Sequence, residues 1–164
     1  MPPRPGYKLE NKGSLILPPV AFFSSEDVKV GETDKLRVAS ISDELRAKLQ
    51  DKVEESIPAV EAYVWGMYHP ANRVAIIAEA SINENTNMRL AHIWASILLQ
   101  GRGQVGALRT HNAVSSTNFL TCYGFGIKAK WCSNGWHLEE FSTEADYSFN
   151  GGERLISYCS PLSL

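Results

Sequence analysis

Turn signals punctuate this chain more strongly than any periodicity does, and they confine it to short strands and short helices. Pro70-Ala71-Asn72-Arg73, Ser133-Asn134-Gly135 and Asn150-Gly151-Gly152 each supply residues suited to reversing the backbone. Around them lie runs rich in apolar and aromatic residues, at 59–69, 74–82, 119–131, 136–141 and 155–159, which read as strands. Gly124 and Gly126 interrupt the third run and point to a bulge or a close backbone approach. Two segments have helical spacing instead. Residues 42–56 repeat Leu45, Leu49 and Val53 at four-residue steps, with Ser42 placed to cap and Pro58 to stop. Residues 88–100 repeat Leu90, Ile93, Trp94, Ile97 and Leu98, with Asn85, Thr86 or Asn87 as the cap and Gly101 as a left-handed terminator. The expected fold is α+β: a single compact domain of antiparallel hairpins with about two packed helices. A length of 164 residues with 44% hydrophobic content suffices for one core.

Five of the eight prolines fall within residues 1–20, which read as a Pro-rich extended arm ahead of a domain over 21–164. Residues 14–17 and 20–23 have the composition of short edge strands around Pro18-Pro19. Pro2, Pro3, Arg4 and Pro5 have the shape of a polyproline ligand, so an adaptor role is one reading of the arm.

Charge is unevenly placed. The net charge of −2 conceals a block, residues 85–138, with no acid and five bases: Arg89, Arg102, Arg109, Lys128 and Lys130. His92, His111 and His137 lie there too. An exposed face built from this block would meet an anion. The expected contacts are Arg89, Arg102, Arg109, His111, Lys128 and Lys130, with RNA or an anionic membrane as partner. Buried segments also lack acids, because carboxylates are costly to desolvate. Self-association is expected through Pro2, Pro3, Arg4 and Pro5 and through the acids Glu139, Glu140 and Glu144, which could dock on the basic block of another copy.

Chemical signatures are sparse. Gly101-Arg102-Gly103-Gln104-Val105-Gly106 matches the dinucleotide pattern, yet it follows a helix and has no acid until Glu139. Cys122, Cys132 and Cys159 have no metal-ligand spacing, and no catalytic residue, cofactor or metal is expected. Glu139 and Glu140 should point to opposite faces of a strand. The alternative is a small intracellular enzyme that closes the 101–118 loop over a pocket and pairs Cys122 or Cys132 with His111 or His137. No apolar run approaches the roughly 20 residues of a spanning helix. Three cysteines and no glycosylation sequon favour a reducing, cytoplasmic compartment.

The segment Phe125-Gly126-Ile127-Lys128-Ala129-Lys130, followed by Gly135-Trp136-His137-Leu138-Glu139, resembles the last hairpin of rhabdovirus matrix proteins. A Pro-rich arm before an α+β domain is in keeping with that family. The resemblance implies a viral structural protein that self-associates, contacts the inner membrane leaflet and condenses nucleocapsid. The arm here is not Lys-rich, and no Pro-Pro-x-Tyr motif is present.

Overall fold

The computed structural model describes residues 9–67, 71–72, 87–108, 116–141, 148–149 and 152–158. The first half of the chain gives strands β1 (Leu9–Leu17) and β2 (Val20–Ser24), a 3-10 turn (Ser25–Asp27), β3 (Gly31–Glu32) and β4 (Arg37–Ile41). Helix α1 (Asp43–Leu49), β5 (Val53–Ile57), β6 (Val60–Met67) and β7 (Ala71–Asn72) follow. After helix α2 (Leu90–Leu99) come β8 (Thr117–Leu120), β9 (Gly126–Cys132), β10 (Gly135–Phe141), β11 (Ser148–Phe149) and β12 (Arg154–Tyr158).

Eight strands form one sheet in the order β1-β6-β12-β8-β9-β10-β4-β3, beside the small pairs β11-β7 and β2-β5. The class is α+β, as expected. The sheet is mixed rather than made only of hairpins, since β12 runs parallel to β8 and β10 runs parallel to β4.

One face of the sheet carries the main core. Val64, Phe119, Ile127, Ala129, Trp136 and Leu138 pack there against Leu45 and Leu49 of α1 and Leu90, Ile93, Trp94 and Ile97 of α2. Helix α2 also contacts the β2-β5 ribbon, so it is covered on several sides. Even its polar His92 and Ser96 are buried, while Leu98 and Leu99 of its last turn are exposed, Leu98 against the apolar stripe expected for it. The other face carries a smaller core of Leu9, Met67, Leu120, Phe141, Phe149 and Leu155.

Strand β1 serves both cores. Its register against β6 slips between Asn11 and Gly13, so Lys12 is an extra residue. Gly13 adopts φ +126° there and donates its N–H to Asn11 Oδ1 at 2.8 Å. A one-residue slip exchanges the two faces of a strand. Leu9 therefore points into the small core, while Leu15 and Leu17 point into the main one. Residues 9–17 are thus a paired edge strand and not part of a free arm; residues 1–8 lie outside the described residues.

Three local expectations are corrected. The helix expected over 42–56 ends at Leu49. Ser42 does cap it, accepting from Leu45 N–H at 3.2 Å. Then Gln50 (φ −51°, ψ 131°) and Asp51 (φ 57°) make a type II turn, closed by Lys52 N–H on Leu49 O at 3.2 Å. Pairing of Val53 and Glu54 with Ser24 and Phe23 outweighs the helical spacing of Val53. The run 119–131 is two strands, β8 and β9, with Gly124 (φ 86°) in the connection. Gly101 does not take a left-handed φ. It is there because a Cβ would lie 2.1 Å from the Lys35 carbonyl oxygen. The strand expected at 74–82 lies outside the described residues.

Candidate functional site

Helix α2 begins at Arg89 without any side-chain cap of its own. Its first N–H groups are met from β5, where the buried carboxylate of Glu54 accepts from Leu90 N–H at 3.0 Å and Ala91 N–H at 2.7 Å. Tyr123 donates its hydroxyl to the same carboxylate at 2.7 Å. Charge at a helix N-terminus and three charge-assisted hydrogen bonds make this a strong junction. Burial, and then the bond to Glu54, push the Tyr123 phenol well above its ordinary value. Lys52 Nζ stands 5.1 Å from the centroid of the Tyr123 ring. Arg89 reaches Cys122 Sγ at 3.7 Å, beside Tyr123 in the sequence. Burial raises the Cys122 thiol, with Arg89 opposing, so this is not an activated thiolate.

Behind that surface the first turn of α2 is tied to two more elements. Tyr158 of β12 accepts from Arg89 N–H at 3.0 Å and meets His92 Nδ1 at 2.6 Å. His92 Nε2 meets the carbonyl oxygen of Pro18 at 3.0 Å. All of His92's hydrogen-bonding capacity is engaged in the fold.

The four described bases of the acid-free block do not converge on one face. Arg89 and Arg102 flank opposite ends of α2, about 15 Å apart along a helix of ten residues. Arg102 is paired with Glu32 at 2.6 Å and bonds Thr33 O at 3.0 Å. The carboxyl of Glu32 is held low by that bond and by Arg37. Lys128 and Lys130 lie on the opposite face of the sheet from α2, because Ile127 and Ala129 face the main core. Lys128 pairs with Glu153 at 3.2 Å. Lys130 is exposed and makes no ion pair with a described residue. Arg109, His111, Glu144 and Pro2–Pro5 lie outside the described residues. Glu139 and Glu140 do take opposite faces. Glu139 stands opposite Lys128 in register, and the Glu140 N–H donates to Ser42 Oγ at 3.4 Å.

Residues 101–108 form a pinned corner. Gln100 Nε2 donates to Gln104 O at 2.7 Å, and Gln100 Oε1 accepts from Leu108 N–H at 2.7 Å. A Cβ at Gly103 would strike the Trp131 ring at 2.1 Å, and one at Gly106 the Gln100 side chain at 2.6 Å. These glycines permit close packing against Trp131 and Gln100. The apolar cavity beside Phe23, Leu49 and Trp94 is about 20 Å³, the size of one water. Among the described residues no group of three metal-ligating side chains occurs.

A second constellation lies on the sheet face that Lys130 shares. Ser40 Oγ is 2.6 Å from His137 Nδ1, and His137 Nε2 is 2.8 Å from Asn134 Oδ1. An amide oxygen only accepts, so Nε2 carries the proton and Nδ1 offers its lone pair to the Ser40 hydroxyl. The register explains how they meet. Trp136 pairs with Val38 but His137 pairs with Ser40, so Ala39 is bulged out of β4. Without that bulge Ala39 would stand opposite His137. Asn134 comes from the tight β9–β10 turn. Asn134 and His137 are three apart in the sequence, yet nothing there marks Ser40, which is joined to them by a parallel pairing across 97 positions.

No protein-family model, curated protein or solved structure matches the chain.

Proposed function

We propose that this chain is a structural, assembly-type protein that self-associates and presents one surface to an anionic membrane. The reading is supported chiefly by Tyr123, anchored by Glu54, with Lys52 over its ring and Arg89 on the neighbouring Cys122. Phe22 (58% exposed) and Val53 (51%) are diagonal neighbours on the outer side of the β2-β5 ribbon beside Lys52. Apolar side chains beside Lys52, with Arg89 at Cys122 near Tyr123, suit a lipid headgroup region better than a base stack; the acid Glu55, opposite Phe22 in the register, shares their outer side. Among the described residues of the acid-free block, Arg89 is the expected contact that this surface includes. Self-association has a separate support. The sheet ends on one side in the two-residue β3 but on the other in the nine-residue β1, whose Ile16 is 66% exposed.

Co-sedimentation with phosphatidylserine-containing vesicles tests the membrane contact. Each cation near an anionic surface contributes about 1 kcal/mol, so Lys52→Ala with Arg89→Ala should weaken binding roughly thirtyfold. Phe22→Ser with Val53→Ser should weaken it at constant charge. Failure of the parent protein to bind, or binding to RNA alone, overturns the membrane reading.

A further inference from the structure

We propose that Ser40 is an activated nucleophile that accepts acyl groups from carboxylic esters, with His137 as its base and Asn134 as the positioning residue. The proposal is separate from the membrane contact and involves a different face of the protein. It stands on three observations: the hydrogen-bonded order Ser40–His137–Asn134, the tautomer that this order imposes, and the bulge at Ala39 that aims Ser40 at the ring. Bulges in parallel strands are rare, and bulges near reactive groups commonly re-aim one side chain. A nucleophile bonded to a base, itself oriented by a third group, is the geometry of covalent acyl transfer. Ser40 and His137 are partly exposed, and Asn134 is exposed, so an ester can reach them from solvent. Lys130 stands opposite His137 in the antiparallel register, close enough in principle for its long side chain to meet a developing oxyanion.

The chemistry closes without any further reagent. Ser40 Oγ attacks the ester carbonyl carbon while its proton passes to His137 Nδ1. Asn134 Oδ1 accepts from Nε2–H throughout and steadies the imidazolium. Collapse of the tetrahedral adduct breaks the bond to the alcohol oxygen, which leaves with the proton from Nδ1. Water then gives a proton to Nδ1 and attacks the acyl-serine, releasing the carboxylic acid and returning the proton to Ser40. The balance is ester plus water to acid plus alcohol. The site lies open on a sheet face, so small activated esters are the substrate class it suits best.

The test uses the full chain with a fluorophosphonate probe and p-nitrophenyl acetate, and maps any adduct by peptide mass. One adduct on Ser40 is expected, together with a burst of p-nitrophenol. His137→Gln should slow labelling about a hundredfold or more, the usual range for removing a general base. Asn134→Ala should slow it too, and Asn134→Asp, which keeps an acceptor in place, should restore it; a merely structural asparagine would not show that rescue. Should His137→Gln not fold, the exposed Lys130→Met serves instead, with slower acylation expected. An adduct elsewhere, no adduct, or Ser40 labelling indifferent to these changes overturns the proposal.

Discussion

His92 Nδ1 lies 2.6 Å from the Tyr158 hydroxyl, and the proton between them belongs to the tyrosine. Nε2 must donate to the Pro18 carbonyl at 3.0 Å, which leaves Nδ1 only a lone pair. A fully buried histidine thus links the β1–β2 corner, the first turn of α2 and β12 in its neutral form.

That arrangement sets a pH dependence. Burial lowers the His92 imidazolium from its ordinary 6.5, although the Pro18 carbonyl and the Glu54 charge oppose the shift. Between the folded value and 6.5 the unfolded chain binds a proton that the folded chain does not. The stability due to neutral His92 is therefore complete above 6.5 and is lost as the pH falls toward the folded value. The loss approaches about 1.4 kcal/mol per pH unit at most. Urea unfolding on both sides of that pH should show it, and His92→Gln should flatten it. A variant with the parent's slope would assign the dependence to another group.

Glu54→Ala should be among the costliest single changes in the chain. It leaves Leu90 N–H, Ala91 N–H and the Tyr123 hydroxyl without their acceptor at a buried helix start. Unsatisfied groups of this kind cost about 1–3 kcal/mol each before relaxation, so a loss of about 3 kcal/mol overall is expected. Thermal unfolding should fall by roughly 6–12 °C for a domain of this size. A drop of a degree or two would mean that water caps the helix equally well.

Asp51→Gly should stabilise. Asp51 holds φ 57° at the third position of the turn closing α1, where glycine is unstrained. Relief of left-handed strain outweighs the added freedom of the unfolded chain, for a net gain of about 0.5 kcal/mol. Asp51→Val, branched at Cβ, should destabilise, and equilibrium denaturation of the pair gives the contrast.

What the sequence disclosed followed local chemistry. Ser42 capping α1, the Ser133-Asn134 turn and, Leu98 aside, the apolar stripe of α2 are each written within a few residues, and each forms. Long-range pairing was not legible. Val53 keeps helical spacing with Leu49 but is drawn into β5 by β2, almost thirty residues away. The acid-free block looked unopposed because Glu32 and Glu153, the partners of Arg102 and Lys128, lie outside it. Glu54 at the start of α2 and Ser40 beside His137 were invisible for the same reason: each reaches its site from a distant strand.

The extra residue Lys12 makes β1 intolerant of deletion in a way that its edge position conceals. A chain lacking it would have to choose between its two hydrophobic reservoirs. Keeping Leu9 inside would turn Leu15 and Leu17 out to water, and keeping those two would strand Leu9. Length, more than side-chain identity, sets which core each half of this strand can fill.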